Sequence, residues 1–236
     1  MRIALIGYGK MGHEIEAVAR EQGQTIACTF DIGNPVDAAS LAGVDLCIEF
    51  STPDTVLRNI RVALEAKKDI VVGTTGWYAH LPEIVPEVKD SGLLYSPNFS
   101  IGVNMMFRLT AAAAEMMNNA AAYDPFIHEW HHRQKADSPS GTALKLAEIL
   151  LAKIERKKKV ETARVDGKID PQALHVSSTR VGAMPGTHIV GFESDADSIE
   201  IKHVAKTRRG FALGAVRAAQ WLKGRKGVYT MDDVTL

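Results

Sequence analysis

The sequence predicts an α/β fold in two parts, a doubly wound parallel half followed by a smaller α+β half with a mixed or antiparallel sheet. Three observations carry that prediction. Up to about Ser100, short β-rich runs alternate with helical stretches, the pattern of parallel βαβ units with both sheet faces covered. Later β-runs follow one another without alternating helices. A length of 236 residues suits one medium domain plus a smaller one.

Taken in order, the strands of the first half are Ile3 to Ile6, Thr25 to Phe30, Val44 to Phe50, Ile70 to Val72 and Leu93 to Tyr95. Helical candidates lie between them near Met11 to Arg20, Thr55 to Ala66 and Pro82 to Asp90. The Ala/Met-rich stretch Ile101 to Ala122 has apolar residues at helical spacing and predicts one helix leaving the first domain. Beyond it, Phe126 to Trp130, His175 to Val181, His188 to Glu193 and Ile199 to Val204 read as strands. Pro185-Gly186 and Asp195-Ala196-Asp197 read as hairpin signals between them. A helix is expected from near Thr142, with the charge cluster Glu155 to Lys159 as its solvated end. Phe211 to Lys223 is amphipathic and expected to return to the first domain. The boundary between the two domains is therefore expected at about residue 100.

Hydrophobic residues make up 46% and charged residues 24%, values of an ordinary globular chain, and the formal net charge is zero. Nothing in that balance points to nucleic acid or a membrane surface, although positive charge can still be focused in a cleft. Cys28 and Cys47 sit in apolar runs without metal-ligand spacing and are expected to be buried thiols. The chain opens directly into a strand with no signal-peptide pattern and has no membrane-length apolar run, so cytoplasm is the expected compartment.

Gly7-Tyr8-Gly9-Lys10-Met11-Gly12 matches G-x-G-x-x-G. The match gains weight from its context: a β-run before, a helical pattern after, a second β-run from Thr25, and Asp31 closing that run nineteen positions beyond Gly12. Gly7 permits the tight turn, Gly9 admits a pyrophosphate to the backbone, and Gly12 allows close packing of helix and strand. The helix N-terminus offers N–H groups to the pyrophosphate, and Asp31 would accept from the ribose hydroxyls. The first domain thus reads as a Rossmann-type dinucleotide-binding domain for NADH or NADPH. Gly73-Thr74-Thr75-Gly76 and Ser96-Pro97-Asn98-Phe99 end other predicted strands and should face the same crevice.

The stretch Glu129 to Ala143 holds His131, His132, Arg133 and Lys135, four potentially cationic side chains within five positions. Such crowding costs self-repulsion and lowers histidine pKa values, so it suits a place where anions arrive or protons move. Ser138 to Thr142 leads into a helix whose N–H groups, with the Thr142 hydroxyl, could take a carboxylate. The expected ligand is a small dianionic molecule. A metal held by His128, His131, His132 and Glu129 is disfavoured, since His128 and His131 would point to opposite faces of a strand. A purely structural histidine pair remains an alternative.

These residues resemble the signature of the dihydrodipicolinate reductase family, E-x-H-H-x-x-K-x-D-x-P-S-G-T-A. The likeness covers nearly the whole chain, including Gly7 to Gly12, Glu49-Phe50-Ser51, Gly73 to Gly76, Asn98 to Ser100, Arg180-Val181-Gly182, Pro185 to His188 and Phe211 to Ala219. The resemblance implies reduction of 4-hydroxy-tetrahydrodipicolinate, a dicarboxylate of the diaminopimelate and lysine pathway, by hydride from NAD(P)H. It further implies that His131 is the general acid-base residue, Lys135 a second proton donor and His132 a substrate contact. By the same likeness Gly141 and Thr142 form the substrate carboxylate site, the second domain builds a homotetramer through its sheet, and the tail from about Lys206 returns to the cofactor domain, giving expected domains of 1–100 with 206–236, and 101–205.

Two features depart from the family. The chain is short, with no family motif in Lys153 to Leu174. Ile32 follows Asp31 where a basic residue would help hold a 2′-phosphate, so NADH is expected to be accepted at least as readily as NADPH, although Lys10 could reach a phosphate. A semialdehyde dehydrogenase would need a nucleophilic Cys at the start of its second domain, and both cysteines lie in first-domain strands. A dinucleotide-sensing regulatory module would have no use for the His131 to Lys135 cluster.

Overall fold

Apolar runs in the first hundred residues become strands in the computed structural model, which describes residues 1–235, and all but the edge strand Thr25–Phe30 are buried on both faces. The chain divides into two units, Met1–Ile101 joined by the segment from Arg208 onward, and Gly102–Thr207.

The first unit contains β1 (Arg2–Ile6), α1 (Lys10–Glu21), β2 (Thr25–Phe30), β3 (Leu46–Glu49), α2 (Pro53–Glu65), β4 (Asp69–Val72), a short α3 (Leu81–Ile84) and β5 (Gly92–Tyr95). Its sheet has the order β11-β5-β4-β3-β1-β2, all pairs parallel, with β11 (Gly227–Tyr229) added after the last helix, α6 (Arg209–Leu222). Period-two alternation sorts the side chains. Ile3, Leu5, Leu46, Ile48, Val71 and Leu94 pack with α1 and α6, whereas Ala4, Ile6, Cys47, Ile70, Val72 and Leu93 pack with α2 and Ile84. The α6 face is built from small residues because the approach is close: a Cβ on Gly214 would lie 1.6 Å from the Phe99 carbonyl oxygen.

The chain leaves β1 on one side for β2 and returns on the other side for β3, which makes the end of β1 a topological switch point. Because these strands are parallel, the loops after β1, β3, β4 and β5 emerge at one sheet edge.

The second unit contains α4 (Ile101–Asn118), which begins at the last residue of the first, then β6 (Asp124–His131), α5 (Gly141–Lys153), β7 (Lys159–Glu161), β8 (Ala173–Arg180), β9 (Thr187–Glu193) and β10 (Ser198–Val204). The sheet is mixed, ordered β10-β9-β6-β8-β7, with the central β6 antiparallel to β9 and parallel to β8. Ala143, Leu146, Ala147 and Leu150 form the buried stripe of α5 and join Met106 and Ala114 of α4 over Ile127, Val176, Val190 and Phe192. Pro125, Ile127, Glu129 and His131 are the buried alternates of β6.

Several expectations need correction. The candidate helix Pro82 to Asp90 survives only as α3 between two 3₁₀ turns, since Pro86 cannot donate to a continuing helix. The helix expected to Ala122 stops at Asn118. Pro185-Gly186 is not a hairpin turn, because β8 and β9 lie on opposite sides of β6; Asp195 to Asp197 does join the antiparallel pair β9 and β10. Cys28 is half-buried rather than buried.

Nor is Glu155 to Lys159 a solvated helix end, since α5 stops at Lys153. Lys157 is 3% exposed, paired with Asp124 at 2.6 Å and donating to the carbonyls of Pro171 at 2.9 Å and Ala173 at 2.8 Å. Arg156 donates to the carbonyls of Met117 at 3.0 Å and Tyr123 at 2.5 Å. These cations satisfy the last carbonyls of α4 and the loops beside β6 and β8, so their role is internal.

Candidate active site

In the first unit, Gly7 has φ +92°, and a Cβ there would fall 2.2 Å from the Phe50 carbonyl oxygen. Only glycine lets this turn pass so close to the end of β3. Gly12 is pressed against the same turn, its missing Cβ 2.6 Å from the Gly7 carbonyl oxygen. Gly9 differs: nothing lies within 4 Å of where its Cβ would be, which is the open approach a pyrophosphate needs. Gly9 also caps α1, whose first turn carries no side-chain cap and no acidic residue, leaving the positive helix end for an anion.

A cleft beside this turn is lined by Gly7, Gly9, Asp31, Phe50, Thr52 and Arg58, among others. Asp31 sits in a tight turn with Asn34, its Oδ1 accepting from Ile32 N at 2.8 Å, and Ile32 is 90% exposed. Tyr8, in the turn, hydrogen-bonds Glu16 of α1, and Lys10 is exposed. A neighbouring cleft collects Met11, Ser51, Gly73, Thr74 and Thr75. Gly73 accommodates the Phe50 ring, 2.2 Å from its missing Cβ. After β5, Ser96 Oγ donates to the Asn98 carbonyl at 2.9 Å, Asn98 Oδ1 accepts from Ser100 N at 2.8 Å, and Phe99 is buried against Phe50. Pro97 completes that loop.

Two residues here carry no site role in the sequence reading. Arg58 reaches the cleft from α2 and donates to the Val36 carbonyl at 2.9 Å; its helical spacing from Thr55 on a shared face is the available signal. Glu49 is fully buried under the β3 loop, where it accepts from Ser51 N at 3.1 Å and Asn59 Nδ2 at 3.3 Å; burial pushes its carboxyl up.

In the second unit the strand register assembles a polar cluster on the helix-covered face. Glu129 and His131 are alternate residues of β6; Arg180 pairs with His131 on β8, and His188 pairs with Glu129 on β9. Glu129 has no exposed surface, and its Oε1 accepts from Arg180 Nη2 at 2.8 Å and Ser140 N at 3.1 Å. Its Oε2 is 3.0 Å from His131 Nδ1, in contact without hydrogen-bond alignment, and 3.6 Å from His188 Nε2. Burial opposes ionisation of Glu129, but His188, Ser140 and Arg180 outweigh it and hold the carboxyl far below its ordinary range. Burial pushes His131 down to about 4, with His188, Lys135 and Arg180 acting in the same direction and the Glu129 carboxylate against it.

Ser140 caps α5, its Oγ accepting from Ala143 N at 3.2 Å and lying 3.1 Å from His188 Nε2. Gly141 and Thr142 form the first turn, with open space beside Gly141. Lys135 Nζ is 2.7 Å from Asp137 Oδ1. His132 follows β6 with its Nδ1 buried and unpaired. Ligand atoms of Glu129, His131 and His188 lie within 4.8 Å of one another, the spacing of a metal donor set. Arg180 pairs with Glu129 at 2.8 Å and already balances the one negative charge this donor set offers, so the arrangement is that of an ion-pair and hydrogen-bond network around a histidine.

A glycine turn at the switch point of a parallel sheet, with a histidine beside a buried carboxylate on a second, mixed sheet, defines a dinucleotide-dependent oxidoreductase of two units. Residues 1–99 match the family model "Dihydrodipicolinate reductase, N-terminus" and residues 102–235 its "C-terminus". The chain belongs to the dihydrodipicolinate reductase family. It is 41% identical to the 4-hydroxy-tetrahydrodipicolinate reductase of Christiangramia forsetii, over 99% of this chain and 97% of that one. It is 36% identical to the enzyme of the same name from Ralstonia pickettii, over 99% of both. Among solved structures, the fold resembles dipicolinate-bound dihydrodipicolinate reductase from Paenisporosarcina sp. TG-14, with TM-score 0.81, 22% identity and coverage of 100% and 99%.

Proposed function

We propose that this chain reduces 4-hydroxy-tetrahydrodipicolinate to tetrahydrodipicolinate in diaminopimelate and lysine biosynthesis, holding NAD(P)H on its first unit and the dicarboxylate on its second. The observation that supports this best is the short stretch His131 to Thr142, which supplies a buried histidine, a lysine and a helix N-terminus to a chain whose relatives bear that enzyme's name. Bound NAD(P)H supplies the hydride. Gly7, Gly9 and Gly12 admit its pyrophosphate to the start of α1, Asp31 takes the ribose hydroxyls, and the loops Gly73 to Thr75 and Ser96 to Phe99 border the same sheet edge.

His131 and Lys135 manage the proton that accompanies reduction and loss of the 4-hydroxyl as water. His132, Gly141 and Thr142 hold carboxylate. Neither cysteine competes as a nucleophile: both lie in first-unit strands, and burial pushes the Cys47 thiol up to about 12. No helix among the described residues is long and apolar enough to cross a membrane. A cytoplasmic homotetramer built through the second-unit sheet completes the proposal.

The decisive experiment couples the chain to the condensing enzyme that makes 4-hydroxy-tetrahydrodipicolinate, following NADH and NADPH oxidation in parallel. Both are expected to be oxidised, NADH at least as readily as NADPH. The cation in the adenosine cleft comes from Arg58, already donating to Val36, rather than from position 32. No oxidation dependent on the condensation product would sink the reading.

A pH dependence follows from the charges around His131. Glu129 faces it from β6, Arg180 from β8, His188 from β9, and Lys135 from the following loop. With the pKa near 4 in the free protein, His131 is neutral at neutral pH; a bound dianion opposes the surrounding cations and raises it. The alkaline limb of kcat is therefore expected at higher pH than that of kcat/KM, since these report the complex and the free enzyme respectively. Coincident limbs would show that substrate does not recharge this histidine.

A further inference from the structure

We propose that Glu129 is a positioning residue that fixes His131 as the Nδ1-protonated tautomer, making Nε2 the nitrogen that receives and returns the transferred proton. The proposal rests on the reading of His131 as the proton-transfer residue and adds the atom that does the work and the group that selects it.

Glu129 has an unusual allocation of its two oxygens. Oε1 takes the Arg180 guanidinium at 2.8 Å and the Ser140 N–H at 3.1 Å. Oε2 has no hydrogen-bond partner, is buried, and lies 3.0 Å from His131 Nδ1, itself buried and without an aligned partner. An ionised carboxylate only accepts, so the imidazole nitrogen that faces it is stabilised by carrying hydrogen. An acceptor bonded to one ring nitrogen selects histidine tautomer and ring orientation in this way. Catalytic hydrogen bonds of free enzymes are often poorly aligned and tighten when substrate arrives.

The strand register makes the arrangement durable. Glu129 and His131 share a face because they are two residues apart on β6, and the paired strands bring Arg180 and His188 to that face. The His188 ring crosses that of His131 at 5.1 Å and 70°, restricting its rotation. On the Nε2 side stands Gly186, where a Cβ would come within 2.8 Å of Nε2. Glycine keeps that edge clear. One nitrogen is thus turned to a buried acceptor and the other to a position with no side chain.

The first test needs no substitution. Nitrogen-15 imidazole spectra of the full chain above the His131 titration, with the His131 signal identified by its loss in His131→Gln, are expected to show hydrogen on Nδ1. Hydrogen on Nε2 would overturn the proposal. In Glu129→Gln the negative charge that favours the imidazolium is lost, so the His131 titration should move to lower pH and kcat should fall by about 10- to 100-fold, with little change in KM. Glu129→Asp, which retains the charge, should return part of the tautomer preference and of kcat. An unmoved His131 titration in folded Glu129→Gln would also overturn the proposal. The spectra report Glu129's hold on His131 whether or not His131 transfers a proton, so failure of the proton-transfer reading, seen as full turnover in His131→Gln, is distinguishable from failure of this one.

Discussion

His131→Gln is expected to lower kcat by about 100- to 10,000-fold while leaving the apparent KM for the dicarboxylate little changed. Glutamine retains a polar side chain of moderate size but cannot take up and release a proton near neutral pH. The surroundings should tolerate it. Glu129 keeps Arg180 and Ser140 as partners in the variant, so its buried charge is not left uncompensated. The effect should therefore appear in turnover and not as unfolding, which a thermal melt of the variant would check. A rise in KM with unchanged kcat would assign His131 to substrate binding and pass proton transfer to Lys135. Lys135 has the freedom for it, since its partner Asp137 has a side chain that is 54% exposed. Such ion pairs contribute little to stability and exchange readily with a bound anion.

The parts of this molecule legible in sequence are those encoded locally. The turn from Gly7 to Gly12 is a contiguous motif, a β-rich run stands before and after its helix, and Asp31 follows the second run, so all of its signals lie within one βαβ unit. The second-unit cluster is legible only in part. His131 and Lys135 stand in one short segment, but Arg180 and His188 join Glu129 from 51 and 59 residues away, reckoned as 180 − 129 and 188 − 129, through the pairing of β6 with β8 and β9. Nothing in a single sequence specifies that register. β7 and β11 contain three residues each, too few for a period-two pattern to show. Lys157 reads as surface by type; it is internal because carbonyls and Asp124 happen to converge where its stem emerges. Pro185-Gly186 carries a true turn signal whose meaning changes once β6 lies between the strands it connects.

Gly7 and Gly9, two glycines of one motif, should separate sharply under substitution. In Gly7→Ala the new Cβ would meet the Phe50 carbonyl oxygen at 2.2 Å and the Ser51 nitrogen at 2.7 Å, both backbone atoms that cannot rotate away. The φ of +92° adds conformational strain of about 1–2 kcal/mol for an L side chain. Relief requires the turn to withdraw from β3, which displaces the N–H groups at the start of α1 and distorts the cleft shared with Thr52. Gly7→Ala is expected to lower the melting temperature without cofactor and to raise the NADH KM by at least about 10-fold, the loss of roughly 1.4 kcal/mol of binding. Gly9→Ala introduces a Cβ with nothing within 4 Å and a φ of −88°, which alanine adopts, so its melting temperature should match the parent's. Its methyl group would instead stand where the pyrophosphate approaches, raising the NADH KM without a stability change. Melting curves and NADH titrations of both variants check this directly. If Gly9→Ala binds NADH as the parent does, the pyrophosphate does not cross that glycine, and the dinucleotide must enter the turn from another side.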